Sequence, residues 1–240
     1  MMQHLQLDRI FVLNVRKFSQ RRKFMEQQLS QFDLKAEFIL DWDVENLTPE
    51  IIAKYFSNDS LTSAQQSCAL KHVTALKNIA SNNYQFALIL EDDAVFSKDL
   101  KLGLQRSMEQ SHQFPGDKVI YIGSGGNFFT PKSQQKPGQY LYLGNRVRFA
   151  DSYILNSTTA QKRLNWIENH QISAPIDNQF EAMDKELGIQ TLWLEEPVVE
   201  QGSKNGLFQS ALESDPPPWL KGILFNWEKL KRKYIYQLWR

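Results

Sequence analysis

The first half of the chain alternates short apolar runs with longer segments of helical spacing. Apolar runs short enough for strands occupy residues 9–15, 37–40, 86–90 and 119–122. The last two are continuously apolar, which is typical of strands buried on both faces of a sheet. Segments with apolar residues every three or four positions occupy residues 19–32, 48–56, 63–79 and 97–111. This alternation predicts an α/β fold with a largely parallel sheet.

Polar residues at the segment boundaries indicate where the helices begin. Ser19 is a candidate N-cap for the first helix, and Pro49 fits the first position of the second. Ser63 and Gln66 stand three residues apart and predict a capping box at the start of the third helix.

The second half of the chain is less regular. Residues 123–138 are rich in Gly, Ser, Gln and Pro and predict a long loop, a type of segment that is often a functional lid. Residues 140–143 and 147–149 flank Gly144-Asn145 and predict a β-hairpin. The remaining predicted elements are a strand at 153–155, a helix to about residue 169 capped by Ser157 or Thr158, and a strand at 191–194.

A proline cluster at residues 215–218 predicts a domain boundary, with a folded domain at 1–215 and a tail at 216–240. From Trp219 to Arg240 there are six basic residues and one acidic residue, a net charge of +5, which leaves −4 on the rest of the chain. Apolar residues of the tail recur at helical spacing, opposite most of the basic ones, as in an amphipathic helix that binds an anionic membrane. The alternatives are a helix docked on the domain and a dimer contact.

Composition narrows the class of protein. The 240 residues are 42% hydrophobic and 23% charged, as in a globular protein with a substantial core. A net charge of +1 gives no indication of nucleic acid as a partner. The single cysteine excludes an internal disulfide and favours a reducing compartment. We find neither a signal peptide nor an apolar stretch near the roughly 20 residues of a membrane span, and therefore expect a soluble or peripheral cytoplasmic protein.

Three acidic residues, Glu91, Asp92 and Asp93, follow the buried strand at residues 86–90. In open α/β sheets, ligands bind beyond the carboxyl ends of the strands. Adjacent carboxylates repel one another, and a divalent cation relieves that repulsion. Mg²⁺ and Mn²⁺ prefer oxygen ligands, commonly one or two carboxylates together with substrate phosphates. The acidic run therefore predicts a metal–diphosphate site, with a solvated strand end as the alternative.

Five segments form an ordered series of short motifs. The most specific is the Leu88–Ala94 segment, LILEDDA. The others are Ile10–Asn14 with Arg21-Arg22, Ser67–His72, Ala150–Leu155 with Ala160, and Ala174–Asp177. Together they resemble glycosyltransferase family 25, the lipopolysaccharide-biosynthesis and collagen-type galactosyltransferases. The resemblance runs from about residue 9 to 210, but Ser67 and Lys71 replace the family's usual Gly and Ser, and residues 123–137 match no family pattern.

The resemblance implies a GT-A-like, Rossmann-like fold, with a mostly parallel sheet flanked by helices. The amphipathic helical tail predicted from the spacing of its own residues would follow this domain. It also implies a nucleotide-sugar donor and an inverting transfer. By resemblance, the donor is UDP-galactose or another UDP-hexose, and the acceptor is a lipid-linked lipooligosaccharide or lipopolysaccharide core glycan. Such an acceptor places the enzyme at the cytoplasmic face of the inner membrane.

Each acidic residue then has a hypothetical role. Asp93 would bind Mn²⁺ or Mg²⁺ as the third member of a DxD-like triplet. Glu91, the first member, would face the metal, the donor ribose or the sugar, directly or through water. Asp92 would contact the donor or stiffen the turn instead.

Residues after the first strand would hold the nucleotide. Asn14, Arg16 and Arg21 lie in this segment, and an Arg side chain can bind a phosphate through paired hydrogen bonds or pack on a base. A solvated helix face is the alternative for the arginines. His72 follows Cys68 by one helical turn and would support the donor site from behind, with core packing as its alternative. Cys68 and His72 lack the second ligand pair of a structural zinc site.

An inverting transfer needs a base for the acceptor hydroxyl, on the face opposite the departing UDP. Asp177 is the first candidate and Asp151 the second. Asp177 could instead cap the helix that begins near Asn178. Two other functions stay open, a nucleotide-sugar-binding protein without transfer activity and a nucleotidyltransferase, although residues 14–22 lack the glycines of a nucleotidyltransferase loop.

Overall fold

A computed structural model describes residues 7–57, 61–205 and 231. Its strands are β1 (Arg9–Leu13), β2 (Glu37–Ile39), β3 (Ala87–Glu91), β4 (Ala94–Phe96), β5 (Lys118–Tyr121), β6 (Leu141–Leu143), β7 (Ser152–Leu155), β8 (Gln190–Leu194) and β9 (Val199–Gln201). Its helices are α1 (Ser19–Gln31), α2 (Pro49–Tyr55), α3 (Ser63–Ser81), α4 (Leu100–Ser111), α5 (Ser157–His170), α6 (Ile176–Leu187) and α7 (Gly202–Asn205).

Within the described residues, one large sheet has the strand order β2-β1-β3-β7-β5-β8-β6. The pairs β1–β2, β1–β3 and β5–β8 are parallel, whereas β7 is antiparallel to both of its neighbours and β6 is antiparallel to β8. Strands β4 and β9 form a separate antiparallel pair. The antiparallel direction of β7 places its first residues beside the last residues of β3.

Alternate side chains of each strand enter two different cores, as the pleat of a strand requires. Helices α3, α5 and α6 cover one face, where Leu76 and Phe180 pack near Phe11 and Ile89 of the sheet. Helices α1 and α4 cover the other face, where Met25 and Leu104 belong to the second core cluster. The predicted α/β sheet with flanking helices is therefore confirmed.

Three of the predicted helix caps are wrong in detail. Helix α5 is capped by Asn156, whose side chain accepts a hydrogen bond from the Thr159 N–H at 2.9 Å, and not by the predicted Ser157 or Thr158. The capping box of α3 consists of Thr62 and Gln65, one residue before the predicted pair of Ser63 and Gln66. Helix α1 begins at Ser19 itself, and its N-cap position, Phe18, offers no side-chain hydrogen bond. The α2 start is as predicted, with Pro49 in the first turn and the Thr48 side chain accepting from Ile51.

The predicted hairpin around Gly144-Asn145 is also wrong. Strand β6 pairs with β8, and the Gly144 N–H continues that ladder to the Thr191 carbonyl at 2.9 Å. The chain then leaves the sheet, since the Val147 N–H donates to the Glu181 carboxylate at 3.1 Å. Local turn composition could not reveal that a strand about 50 residues later would pair with β6 instead.

No helix in the described part of the chain is long and apolar enough to cross a membrane. The predicted domain boundary near residue 215 and the amphipathic tail lie outside the described residues, apart from Lys231.

Candidate functional site

A cavity of about 320 Å³ lies at the carboxyl ends of β1 and β3. The two strands are parallel neighbours, with Leu13 opposite Glu91, so the segments that follow them meet at one edge of the sheet. Cys68, Lys71 and Ser67 of α3 form a second wall of the cavity. The acidic run, Glu91 to Asp93, forms part of the lining, as the sequence predicted for a ligand site.

Asp92 is held on both sides by residues that follow β1. Its Oδ2 accepts a hydrogen bond from Asn14 Nδ2 at 2.7 Å, and its Oδ1 accepts from Arg21 Nη1 at 2.8 Å. Burial raises the pKa of Asp92, and the Arg21 guanidinium opposes that rise. Asn14, Arg21 and Asp92 therefore form one hydrogen-bonded network that connects the first helix to the acidic run.

Within the described part of the chain, Asp93 is held by backbone N–H groups of α7 and not by side chains. Its Oδ2 accepts from the Ser203 N–H at 3.1 Å, and its carbonyl accepts from the Gly202 N–H at 2.7 Å. Its Oδ1 is buried and has no hydrogen-bond partner among the described residues. One carboxylate oxygen is thus anchored, and the other is left available to a ligand.

Glu91 lies beside two side chains of α3. Its Oε1 is 3.8 Å from Cys68 Sγ and 3.7 Å from His72 Nε2, and its side chain is 22% exposed. Burial, followed by the charges of Asp93 and Asp92, raises the pKa of Glu91 to about 8. Burial and repulsion within the acidic run therefore keep Glu91 largely protonated at neutral pH, and a bound cation would reverse that preference.

His72 is fully buried and stacked on Tyr153, whose hydroxyl lies 2.9 Å from His72 Nδ1. Burial, together with the nearby Arg163 charge, lowers the pKa of His72 to about 3. The imidazole is therefore neutral at physiological pH. His72 lies behind Glu91 and packs on Tyr153 and Phe180, an arrangement that fits both the predicted support of the donor site and its alternative, core packing. The supporting role stays a prediction.

A lysine–aspartate pair forms a wall that sequence reasoning missed. Lys71 Nζ donates to Asp43 Oδ1 at 2.8 Å and also to the Asp41 carbonyl, and both ion-paired side chains are buried. Asp43 in turn accepts from the Arg16 N–H at 3.1 Å. The only signal in the sequence was Lys71 itself, on the apolar face of a predicted helix.

Arg16 lies apart from the other nucleotide candidates. Its Nε donates to the Leu40 carbonyl at 3.1 Å, and its side chain is exposed and absent from the cavity lining. Asn14 and Arg21 therefore contact the acidic run. The Arg16 guanidinium instead lies at the carboxyl end of β2, against the Leu40 carbonyl.

The two candidate bases occupy different environments. Asp151 is 1% exposed; its Oδ1 accepts from Ser152 Oγ at 2.7 Å, and burial raises its pKa well above the usual range. Asp177 is half-buried in the first turn of α6, and its Oδ1 accepts from the Asn178 N–H at 2.9 Å. Pro175, not Asp177, is the N-cap of α6. Asp177 is not part of the cavity lining, but its negative charge is one of the lesser causes that raise the pKa of Glu91 and of Cys68.

The residues of the acidic run fit a hard divalent cation. Asp93 Oδ1 is a buried carboxylate oxygen without a partner among the described residues, and Glu91 offers a second carboxylate. Asp92 is already used by Asn14 and Arg21. One or two protein carboxylates, with substrate phosphates supplying further oxygens, are a usual set for Mg²⁺ or Mn²⁺.

Residues 7–180 match the sequence model of the family described as glycosyltransferase family 25 (LPS biosynthesis protein). The matched region contains β1, α3, the acidic run and the first turn of α6 with Asp177. The chain belongs to glycosyltransferase family 25. The resemblance found in the sequence is therefore confirmed, and membership in family 25 makes the cavity the candidate site of a sugar transferase.

Curated relatives of this family 25 chain match about half of it. Procollagen galactosyltransferase 1 of Danio rerio is 30% identical over 129 residues, which are 48% of this chain and 21% of that protein. Procollagen galactosyltransferase 2 of Homo sapiens is 26% identical over 128 residues, 48% of this chain and 20% of that protein. A Drosophila melanogaster protein named glycosyltransferase 25 family member is 25% identical over 130 residues, 50% of this chain and 21% of that protein. The alignments thus span about a fifth of these relatives.

Among solved structures, mouse xyloside xylosyltransferase 1 in its apo form aligns with a TM-score of 0.38 and 14% sequence identity. The alignment covers 76% of this chain and 72% of that chain. The family 25 assignment depends on the sequence match and not on this likeness.

Proposed function

We propose that this chain transfers a hexose, most simply galactose, from a UDP-hexose to a hydroxyl of a lipooligosaccharide or lipopolysaccharide core glycan, with inversion at the sugar carbon. The transfer would use Mn²⁺ or Mg²⁺. Membership in family 25 supports the reaction class. The names of the matched relatives support galactose, and the family description supports the lipopolysaccharide acceptor.

The observation that carries the proposal is the arrangement of Asp93. Two backbone contacts to Gly202 and Ser203 fix its position, and its Oδ1 remains buried without a partner among the described residues. A carboxylate oxygen in that state is costly unless a cation or donor binds it. Asp92 differs, because both of its carboxylate oxygens accept hydrogen bonds, one from Asn14 and one from Arg21.

Different residues around the cavity would contribute in different ways to binding a nucleoside diphosphate such as UDP. When bound, a divalent cation supplies charge neutralisation for the departing UDP. Glu91 and Asp93 would hold that cation. Lys17 and Lys71 also line the cavity, each ion-paired with a carboxylate, Glu45 for Lys17 and Asp43 for Lys71. The Asn14–Asp92–Arg21 network keeps the acidic run in a single position, which is what preorganised electrostatic stabilisation requires.

Asp177 is the better of the two candidate bases. A base must reach the acceptor hydroxyl within hydrogen-bond distance, directly or through one water. Asp151 is 1% exposed and already accepts from Ser152, whereas Asp177 is half-buried. We expect Asp177→Asn to lower kcat roughly 100-fold or more, the usual contribution of a general base, with little change in UDP affinity. A large loss of UDP binding instead would argue against a base.

The proposed acceptor also implies a location. A lipid-linked glycan would be met at the cytoplasmic face of the inner membrane, and the basic, aromatic segment at residues 219–240 has the composition to bind an anionic lipid surface there. This location and the role of the tail are part of the proposal.

The donor site is tested by titrating UDP and UDP-galactose into the full chain by calorimetry, with and without Mn²⁺. Asp93→Asn should abolish the metal-dependent part of binding. Asp99→Asn, the same chemical change at an exposed residue, is the matched control and should bind as the wild type does. Absence of nucleotide binding under every condition would refute the donor site. Binding without transfer to any glycan acceptor would support the nucleotide-sugar-binding alternative.

A further inference from the structure

Three potential metal ligands of different chemistry meet at the inner wall of the cavity. Cys68 and His72 are four residues apart on α3 and therefore project from the same helix face. Glu91 approaches them from the end of β3. Cys68 Sγ, a His72 ring nitrogen and a Glu91 carboxylate oxygen all lie within 4.8 Å of one another. Of these three side chains, the proposed sugar transfer uses the Glu91 carboxylate as a ligand of the hard cation and leaves the Cys68 thiol and the His72 ring nitrogen without a role as ligands.

Among these three residues, His72 gives the strongest evidence that a ligand binds here. Its side chain is 0% exposed, and its Nε2 is buried without a hydrogen-bond partner among the described residues. That nitrogen faces Glu91 Oε1 at 3.7 Å. When Nδ1–H donates to the Tyr153 hydroxyl, 2.9 Å away, Nε2 presents its lone pair to the cluster. A hydrogen bond of this kind from the second ring nitrogen is the usual support for a metal-binding histidine.

The distances are close to those of a tetrahedral zinc site. With Zn–S near 2.3 Å and Zn–N and Zn–O near 2.1 Å, ligand atoms in a tetrahedron are about 3.4–3.6 Å apart. The observed separations are 3.8 Å from Cys68 Sγ to Glu91 Oε1 and 3.7 Å from His72 Nε2 to the same oxygen. Closing the cluster around an ion needs only small side-chain movements, chiefly between the sulfur and the imidazole.

We propose that Cys68, His72 and Glu91 form a Zn²⁺ site beside the hard-cation site at Asp93, with Glu91 as the residue that the two sites share. A thiolate and an imidazole select a borderline-soft ion such as Zn²⁺ over Mg²⁺ and Mn²⁺. Cys68 and Glu91 line the cavity, so the ion has an entry path and a fourth position open to water or another oxygen ligand. The thiol proton is released to solvent when the ion binds. This site does not depend on the chain being a glycosyltransferase.

The test uses the full chain, stripped of metal with a chelator and titrated with Zn²⁺ against a chromophoric competitor. Co²⁺ is then used as a spectroscopic substitute for Zn²⁺. We expect one Zn²⁺ per chain and a thiolate-to-Co²⁺ charge-transfer absorption. Cys68 is the one cysteine in the sequence, so Cys68→Ser must remove that absorption. It should also weaken Zn²⁺ binding at least 10–100-fold, since even residues that only support a ligand contribute roughly that much.

Two further variants distinguish this site from Zn²⁺ binding elsewhere on the chain. His112→Gln, at an exposed histidine away from the cavity, is the matched control and should leave Zn²⁺ affinity unchanged. Asp93→Asn should abolish Mn²⁺-dependent UDP binding but retain the Co²⁺ absorption. No thiolate absorption in the wild type, or equal Zn²⁺ affinity in folded Cys68→Ser, would overturn the proposal. So would Zn²⁺ binding that is lost in Asp93→Asn and kept in Cys68→Ser, because the ion would then lie in the acidic run.

Discussion

The same substitution should have different effects at the two aspartates of the acidic run. Asp92→Asn should lower the stability of the fold, whereas Asp93→Asn should lower metal-dependent UDP binding. Asp92 and Asp93 are both buried, but they differ in their partners among the described residues. Both carboxylate oxygens of Asp92 accept hydrogen bonds from side chains, Asn14 and Arg21, whereas Oδ1 of Asp93 has no partner there. Asp92→Asn removes the charge that pairs with Arg21 and puts an amide N–H₂ group against one of those donors. Asp93→Asn keeps an oxygen for the Ser203 N–H and removes one charge from a repelling cluster.

The expected magnitudes follow from these contacts. Breaking a buried ion pair costs about 3–5 kcal/mol of folding free energy. The side chains of Arg21 and Asp92 are 13% and 8% exposed, so water in the cavity will partly solvate Arg21. We therefore expect Asp92→Asn to lower the free energy of unfolding by about 2–3 kcal/mol, less than the full cost. For a chain of this size that is a fall in Tm of about 4–12 °C. For Asp93→Asn we expect a change below about 1 kcal/mol, as at sites where no contact is lost.

Thermal and urea unfolding, followed by circular dichroism without metal, measure both values, and the UDP titration is run on the same samples. Asp99→Asn serves again as the exposed control. Asp92→Asn should lose stability and, below its Tm, still bind UDP, whereas Asp93→Asn should lose metal-dependent binding at wild-type stability. Equal destabilisation by the two substitutions, or wild-type stability of Asp92→Asn, would refute the assignment of a structural role to Asp92 and a ligand role to Asp93.

Three further predictions concern other parts of the molecule. Because the pKa of Glu91 is raised to about 8 in the folded state, ionising it there is unfavourable, and that cost grows as the pH rises from the unfolded pKa of about 4.3 to the folded value. Glu91→Gln should therefore be more stable than the wild type by about 1–3 kcal/mol at pH 9 and close to it below pH 4; urea unfolding in chelator measures this, and a pH-independent difference would contradict it. Asp184→Leu removes the carboxylate that accepts from Arg163 Nε at 2.9 Å and Nη2 at 2.5 Å, and it should cost about 3–5 kcal/mol of folding free energy. Adding Arg163→Met should recover most of that loss in a double-mutant cycle, and equal losses in the single and double variants would contradict this. Deletion of residues 219–240 should release the protein from anionic vesicles in a sedimentation assay, with neutral vesicles as control, and unchanged binding would exclude the tail as a membrane anchor.

The sequence by itself determined the class of fold and the position of the acidic run. Continuous apolar runs and amphipathic segments are local properties, so the α/β alternation could be predicted from spacing alone. Because Glu91, Asp92 and Asp93 stand at the end of a buried strand, they lie at the carboxyl end of that strand in any order of the other strands. The ordered motifs around them were sufficient for the family resemblance, which the match over residues 7–180 confirms.

Only the tertiary structure showed the contacts of each acidic residue. Asp92 accepts hydrogen bonds from Asn14 and Arg21, more than 70 positions earlier in the chain, and one oxygen of Asp93 is anchored by Ser203, which follows the β4–β9 pair. The same non-local pairing made the predicted hairpin wrong, since β6 joined β8. Partners distant in the chain leave no periodic signal, because their contacts depend on strand order and register and not on local spacing. Features formed by a single segment, such as the acidic run, could therefore be predicted from the sequence. Contacts between residues of distant segments could not.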